Sequence, residues 1–175
     1  MRFFINFIFL LFIIFSFNSQ TNSNENFVYI DLEKIMSKSK GGVSISSQLQ
    51  DMHSKNIENF KKTENELKEE EAKILSQKNI LDNEEYKKKI NELRIKANDY
   101  RAQRKKIIDD LTKKRLDASN KLLDKINPIL INYSNENSIS IIFQKKNIII
   151  GKSELDITDE ILNLVDAKIS KIKLN

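Results

Sequence analysis

From Val43 to Ile126 the chain carries neither glycine nor proline, and its apolar residues return on a heptad schedule. In the first half of this stretch Phe60, Leu67, Ile74 and Leu81 recur every seven residues with polar residues between them. In the second half Tyr86, Ile90, Leu93, Ala97, Tyr100, Ile107, Leu111 and Ala118 follow steps of four and three, with Arg104 and Lys114 interrupting the track. A sustained repeat of this kind supercoils a helix onto a partner helix rather than burying it in a globule. Asp82-Asn83 stands between the halves, and both residue types form local turns. A chain that doubles back there places Ile74 against Ile90 and Leu93, Leu67 against Ala97 and Tyr100, and Phe60 against Arg104 and Ile107. Each residue of the first helix then drops between two of the second, as knobs-into-holes packing requires.

The charges agree with that register. Glu64, Glu66, Glu69, Glu70 and Glu71 fall alongside Arg94, Lys96 and Arg101. Exposed pairs of this type are worth about 0.5 kcal/mol each, so they set register more than stability. The first helix offers about one apolar residue per heptad where a free-standing coiled coil has two. The seam is therefore thin, and the arm needs a sturdier base.

That base comes from the segments on either side of the arm. Phe27-Val28-Tyr29-Ile30 reads as a strand, Asp31 caps a helical turn over Leu32 to Met36, and Gly41-Gly42 is expected to break the chain. After Pro128, Ser138 to Phe143 and Asn147 to Ile150 read as a β-hairpin that completes a three-stranded sheet with the first strand. A final helix starts with Thr158 as N-cap, carries Asp159 and Glu160 in its first turn, and presents Ile161, Leu162, Val165 and Ile169. The expected fold is α+β: a long antiparallel helical hairpin, 43–126 with its turn near 82–84, projecting from a body of 24–42 plus 127–175. So small a body with open strand edges favours oligomerisation through the sheet.

The N-terminus reads as an address. Met1-Arg2 precedes an apolar run from Phe3 to Phe17 interrupted by Asn6 and Ser16, and a polar segment follows. A secretory leader has an apolar core of about 7–15 residues, whereas a spanning helix needs about 20. Residues 1–23 are read as a cleavable signal peptide. The alternative is an uncleaved anchor, which makes the chain a membrane-anchored coiled-coil stalk or scaffold; the β-forming runs after Pro128 weigh against a simple stalk.

Composition narrows the function. Cysteine is absent and His53 is the single histidine, which removes disulfides, thiol chemistry and histidine metal cages. No Gly-rich phosphate loop or metal-ligand spacing occurs. The reading is non-enzymatic, with no cofactor and no metal. The net charge is +5, but the 25 acidic residues are interleaved with 30 basic ones, the pattern of a solvated helix face rather than of a nucleic-acid arm. His53 continues the Phe60 track seven residues earlier, as a seam residue near Leu111. Tyr86 and Tyr100 read as seam packing before they read as a binding stripe. Lys87, Lys88, Lys89, Arg94 and Lys96 form the sharpest basic cluster, near the arm tip. They read either as a solvated tip paired with glutamates or as a contact for acidic clients or anionic lipid.

Taken in order, the strand and turn of FVYIDLEKIM, the charged helical hairpin, the segment NSISIIFQKKNIIIGKSELDIT and the helix DEILNLVDAKI resemble the Skp/OmpH family of periplasmic chaperones across the whole exported chain. The most specific marks lie at the two ends, since any charged coiled coil matches the arms. The resemblance implies a homotrimer with a central β-body and three arms around a cavity. It implies ATP-independent holding of unfolded outer-membrane proteins in the periplasm. The near balance of Lys and Glu along these arms departs from a strongly basic grip on acidic clients.

Overall fold

The computed structural model describes residues 26–174; the expected leader lies outside them. In chain order the elements are β1 (Asn26–Ile30), α1 (Leu32–Lys38), α2 (Lys40–Ser76), α3 (Asn83–Glu136), β2 (Ile139–Gln144) and α4 (Thr158–Lys168), with short 3-10 turns at Lys145–Asn147 and Ser153–Leu155. The long antiparallel hairpin of α2 and α3 projects from a small body, as the heptad pattern predicts.

Local chemistry fixes each boundary. Asp31 accepts from the Lys34 amide at 2.8 Å and starts α1. The chain then breaks at Ser39 rather than at Gly41-Gly42. Ser39 is extended (φ −61°, ψ 154°), and its hydroxyl accepts from the Gly42 amide at 3.2 Å to cap α2. A second cap comes from outside: the Lys40 amide donates to Asp166 at 2.7 Å. The two glycines sit inside the first turn of α2 because of what passes beside them. A Cβ on Gly42 would stand 1.9 Å from the Met36 carbonyl oxygen, so only glycine lets α1 fold back this closely.

At the tip, α2 ends at Ser76 and the reversal occupies 77–82, slightly earlier than expected. Asp82 is the N-cap of α3, accepting from the Glu85 amide at 2.8 Å. Leu81 therefore belongs to the turn and not to the helical seam. At the other end α3 does not stop before Pro128 but runs through it to Glu136. An interior proline costs about 3 kcal/mol. Here Ile126 (0% exposed) and Ile129 (4%) flank it and are held in the core, and that burial keeps the helix intact. The helix closes where the Asn137 side chain donates to the Tyr133 carbonyl at 2.9 Å and Ser138 turns left-handed at φ 52°.

The sheet departs from expectation. Among the described residues it has two strands, β1 and β2, running parallel with Val28 beside Ile142, Tyr29 beside Phe143 and Ile30 beside Gln144. Parallel neighbours require a long crossover, and the whole arm is that crossover. The expected second hairpin strand, Asn147 to Ile150, does not form. Gln144-Lys145-Lys146 contains none of the residues that a tight hairpin needs at positive φ, and Lys145 is held instead by Asp156 at 2.6 Å. Ile149 and Ile150 are left 97% and 92% exposed. The chain returns past Gly151, where a Cβ would meet the Tyr29 ring at 2.8 Å.

Thr158 opens α4 as its first residue, not as its N-cap. The Asp156 carboxylate accepts from the Thr158 amide at 3.1 Å and also bonds the Thr158 hydroxyl, which in turn accepts from the Asp31 amide at 2.8 Å. This chain of bonds ties α4 to the end of β1. Ile161 and Val165 are fully buried against Ile30, Ile35, Leu122 and Ile126. Beyond α4 the tail lies across the arm base, where Gln48 donates to the Ile172 carbonyl at 2.7 Å and accepts from the Leu174 amide at 3.3 Å.

Candidate functional site

Ile45, Leu49, Ala118, Leu122 and Ile126 tie the base of the arm to the core, and the stretch of α2 and α3 beyond them contributes no buried residue to that cluster. At 1.5 Å per residue, the 37 residues of α2 alone extend about 55 Å. The seam of the arm is narrow, as the apolar spacing requires: Ile74 is buried, while Phe60, Leu67, Ile90, Leu93, Ala97, Tyr100 and Ile107 are half-buried. Midway along, Phe60 and Tyr100 meet edge-to-face at 6.3 Å, and the Arg104 guanidinium lies 5.2 Å from the centre of the Phe60 ring. Glu64 gathers this cluster, accepting from the Tyr100 hydroxyl at 2.6 Å and from Arg104 at 2.8 Å. Partial burial pushes the Tyr100 hydroxyl above its ordinary pKa, and the bond to the Glu64 carboxylate pushes it further. A charged residue on the apolar track is thus accommodated by a carboxylate one turn along the facing helix.

The basic residues near the tip do not form one patch. Lys87 pairs with Glu84 at 3.1 Å, and Lys96 crosses the seam to Glu70 at 2.6 Å. Lys89 lines a hollow with Glu66, Glu69, Glu70 and Glu92. Lys88 and Arg94 remain exposed and without an ion-pair partner among the described residues. Arg101, aligned by sequence with the acidic stretch, instead donates to Asn98 at 3.1 Å.

Apolar side chains off the seam were not singled out by the heptad reading. Val43 (54%), Ile57 (39%), Leu75 (54%), Ile95 (52%), Ile108 (50%) and Leu116 (61%) stand exposed along the arm, and Ile80 (81%) crowns the turn. Their signal in the sequence is that each is a large aliphatic residue out of phase with the track. A second group lies on the body, where Phe27 and Phe143 stack edge-to-face at 6.3 Å and are exposed together with Ile141, Ile149 and Ile150.

Where the arm meets the body, α2 and α3 part around a cleft of about 510 Å³. Met36, Ile45, Leu49, Leu111 and Leu122 line it, with His53 and Arg115 among the polar residues at its sides. His53 thus shares a cleft with Leu111, its expected neighbour, while remaining exposed. Among the described residues no cluster of His, Asp or Glu is placed to hold a metal ion, and no helix is long and apolar enough to cross a membrane.

Comparison with known proteins adds to this geometry. A crystal structure of an OmpH-like protein from Caulobacter crescentus, described as an outer membrane chaperone, superposes with a TM-score of 0.82 over 86% of this chain and 89% of that one, at 13% identity. That likeness is one of fold. No curated protein matches the chain by sequence. The family model for "Outer membrane protein (OmpH-like)" matches residues 26–165, spanning β1, the arm, β2 and most of α4, and the chain belongs to that OmpH-like family.

Proposed function

We propose that this protein is a periplasmic, ATP-independent holdase that keeps unfolded outer-membrane proteins from aggregating by holding them between its arms. The observation that carries the reading is the set of exposed aliphatic residues on an otherwise charged arm, in a chain of the OmpH-like family. Each such residue offers a client about 1–2 kcal/mol of burial at most. Several together retain an unfolded chain, yet none fixes its structure. Nothing in such a mechanism requires a cofactor or bond-making chemistry. The thin seam favours it, because an arm with so few buried contacts bends to clients of different size.

The proposed assembly is a homotrimer built through the body. In support, the outer edge of β2 has no strand partner among the described residues, whereas that of β1 is met by Asp156 and Ile157, and Phe27, Ile141, Phe143, Ile149 and Ile150 expose apolar surface on the same body. Export by a cleaved leader at 1–23 belongs to the same reading. A native mass measurement on processed protein, with and without a urea-denatured β-barrel client, tests it. Three chains plus one client is the expected species; a monomer that binds no client rejects the reading.

A second contact is proposed at the tip end of the arm, where Lys88 and Arg94 stand exposed on the first turns of α3 and Ile80 is exposed in the turn. Exposed cations and an apolar side chain at one end of an arm suit transient attachment to an anionic bilayer. Sedimentation with vesicles containing about one-third phosphatidylglycerol should carry the protein down at low salt and release it as Debye screening increases. Equal recovery with neutral vesicles argues against the contact.

A further inference from the structure

The arm repeats the sequence spacing of one four-residue cluster, and the second set gathers at a single cleft. Phe60, Glu64, Tyr100 and Arg104 make the midway cluster. Eleven residues nearer the body on each helix stand Leu49, His53, Leu111 and Arg115, and all four line the cleft at the arm base. Eleven residues are close to three helical turns, so each member of the second set lies on nearly the same side of its helix as its counterpart in the first. Leu49 replaces Phe60, Leu111 replaces Tyr100, and Arg115 repeats Arg104. The exception is the acceptor: the place of Glu64 is taken by His53. Arg115 has no carboxylate partner among the described residues.

The upper cluster closes on itself, with the guanidinium over an aromatic ring and its anion supplied by the chain. The lower one stays open, with an apolar floor from Ile45, Leu49 and Leu122 and a cation facing it without an anion. We propose that this cleft binds a peptide segment in which an aliphatic or aromatic side chain is followed directly by an aspartate or glutamate, the apolar group filling the floor and the carboxylate pairing with Arg115. Charge complementarity selects the anion and the floor selects its neighbour. An apolar-acidic pair in an unfolded client meets both demands, so the inference deepens the holdase reading and rests on it. It also gives the interleaved charges of the arm base a selective role, which non-specific apolar contacts lack.

The single histidine makes the test clean, because its imidazole proton is an unambiguous NMR reporter at the cleft wall. The full processed chain is titrated with acetyl-Gly-Ser-Leu-Asp-Ser-Gly-amide, and in parallel with the Leu-Asn and Ser-Asp versions. Wild-type protein should bind Leu-Asp about fivefold more tightly than Leu-Asn, the factor that one exposed charge pair supplies at most, and at least as much more tightly than Ser-Asp, which has no side chain for the floor. His53→Glu, which rebuilds the upper cluster with an internal carboxylate, should abolish that preference when followed by resonances of the Leu111 methyls. Arg115→Gln should abolish it as well, and melting curves confirm that both variants fold. Equal affinity for Leu-Asp and Leu-Asn, or a preference that survives in Arg115→Gln, overturns the proposal. So does a change of native mass in either variant, which makes the cleft a contact between copies. Light scattering of a denatured β-barrel separates the two readings. Wild-type protein that delays aggregation without any Leu-Asp preference loses the cleft alone. Protein that keeps the preference but delays nothing loses the client assignment.

Discussion

The Arg104 guanidinium sits 5.2 Å above the ring of Phe60, across the seam from it, and both lie at positions that a doubled-back heptad pattern sets opposite each other. An arm held by so few contacts should be sensitive to any one of them. Phe60→Ala removes the largest side chain of the seam's first helix and its contact with Tyr100, for a cost of about 1–2 kcal/mol given its half-burial. Hydrogen exchange should quicken over 60–76 and 88–107 while amides around Ile161 and Val165 keep their protection. Uniform acceleration across body and arm contradicts an arm that opens independently.

Gly42 and Gly41 make a graded pair. A Cβ at Gly42 collides with backbone, 1.9 Å from the Met36 carbonyl oxygen, whereas one at Gly41 meets side-chain ends of Leu122 and Ile169 at 2.9 and 3.1 Å. Gly42→Ala should therefore cost about 3 kcal/mol and Gly41→Ala about 1 kcal/mol, read from urea midpoints at constant m. The reverse order would contradict the close passage of the Met36 carbonyl over Gly42.

The acid limb of stability should report Asp156. Burial pushes its carboxyl up, but the bonds from Lys145, the Thr158 hydroxyl and the Thr158 amide outweigh that and hold it below the ordinary aspartate value of 3.8. A depressed folded-state value means that the carboxylate stabilises the fold above pH 3.8. That contribution is lost as the pH falls from there through the folded value. Asp156→Asn should lower the melting temperature at pH 7 and leave a smaller further drop on acidification than wild type shows. Parallel curves for the two proteins from pH 7 down to about pH 2 would remove Asp156 from the account.

Ser138 is the one non-glycine residue at positive φ among the described residues, at 52°. Relief of that left-handed strain by Ser138→Gly should stabilise the protein by about 0.5–1 kcal/mol, net of the greater chain entropy of glycine. A fall in the melting temperature would mean that the hydroxyl makes a contribution larger than the strain.

The arm was legible because a seven-residue repeat encodes its own partner: once the turn was placed, Phe60 found Arg104 and Glu70 found Lys96 by register. The body was only half legible. Phe27 to Ile30 and Ser138 to Phe143 announced strands by composition, but composition does not name a strand's neighbour, and their parallel pairing spans the entire arm. Asn147 to Ile150 has the apolar content of a strand and no turn that would deliver it to one. The Gly41-Gly42 pair looked like a breaker because a sequence does not record that Met36 passes overhead. The basic tip, read as one cluster, is divided by partners on its own helix and across the seam. In the cleft, the heptad track placed His53 near Leu111, while the unpaired state of Arg115 emerged only with the packing.

The claim at the centre is that exposed aliphatic side chains on the arm retain unfolded chains. Ile57→Gln, Ile95→Gln and Ile108→Gln combined leave the seam and the body untouched, so the melting temperature should stay within about 2 °C of wild type. Light scattering from a urea-denatured β-barrel protein diluted into buffer measures the rest. The account predicts that wild-type protein delays aggregation at stoichiometric amounts and that the triple variant delays it several-fold less. A triple variant as protective as wild type, or a wild type that protects nothing, would contradict it.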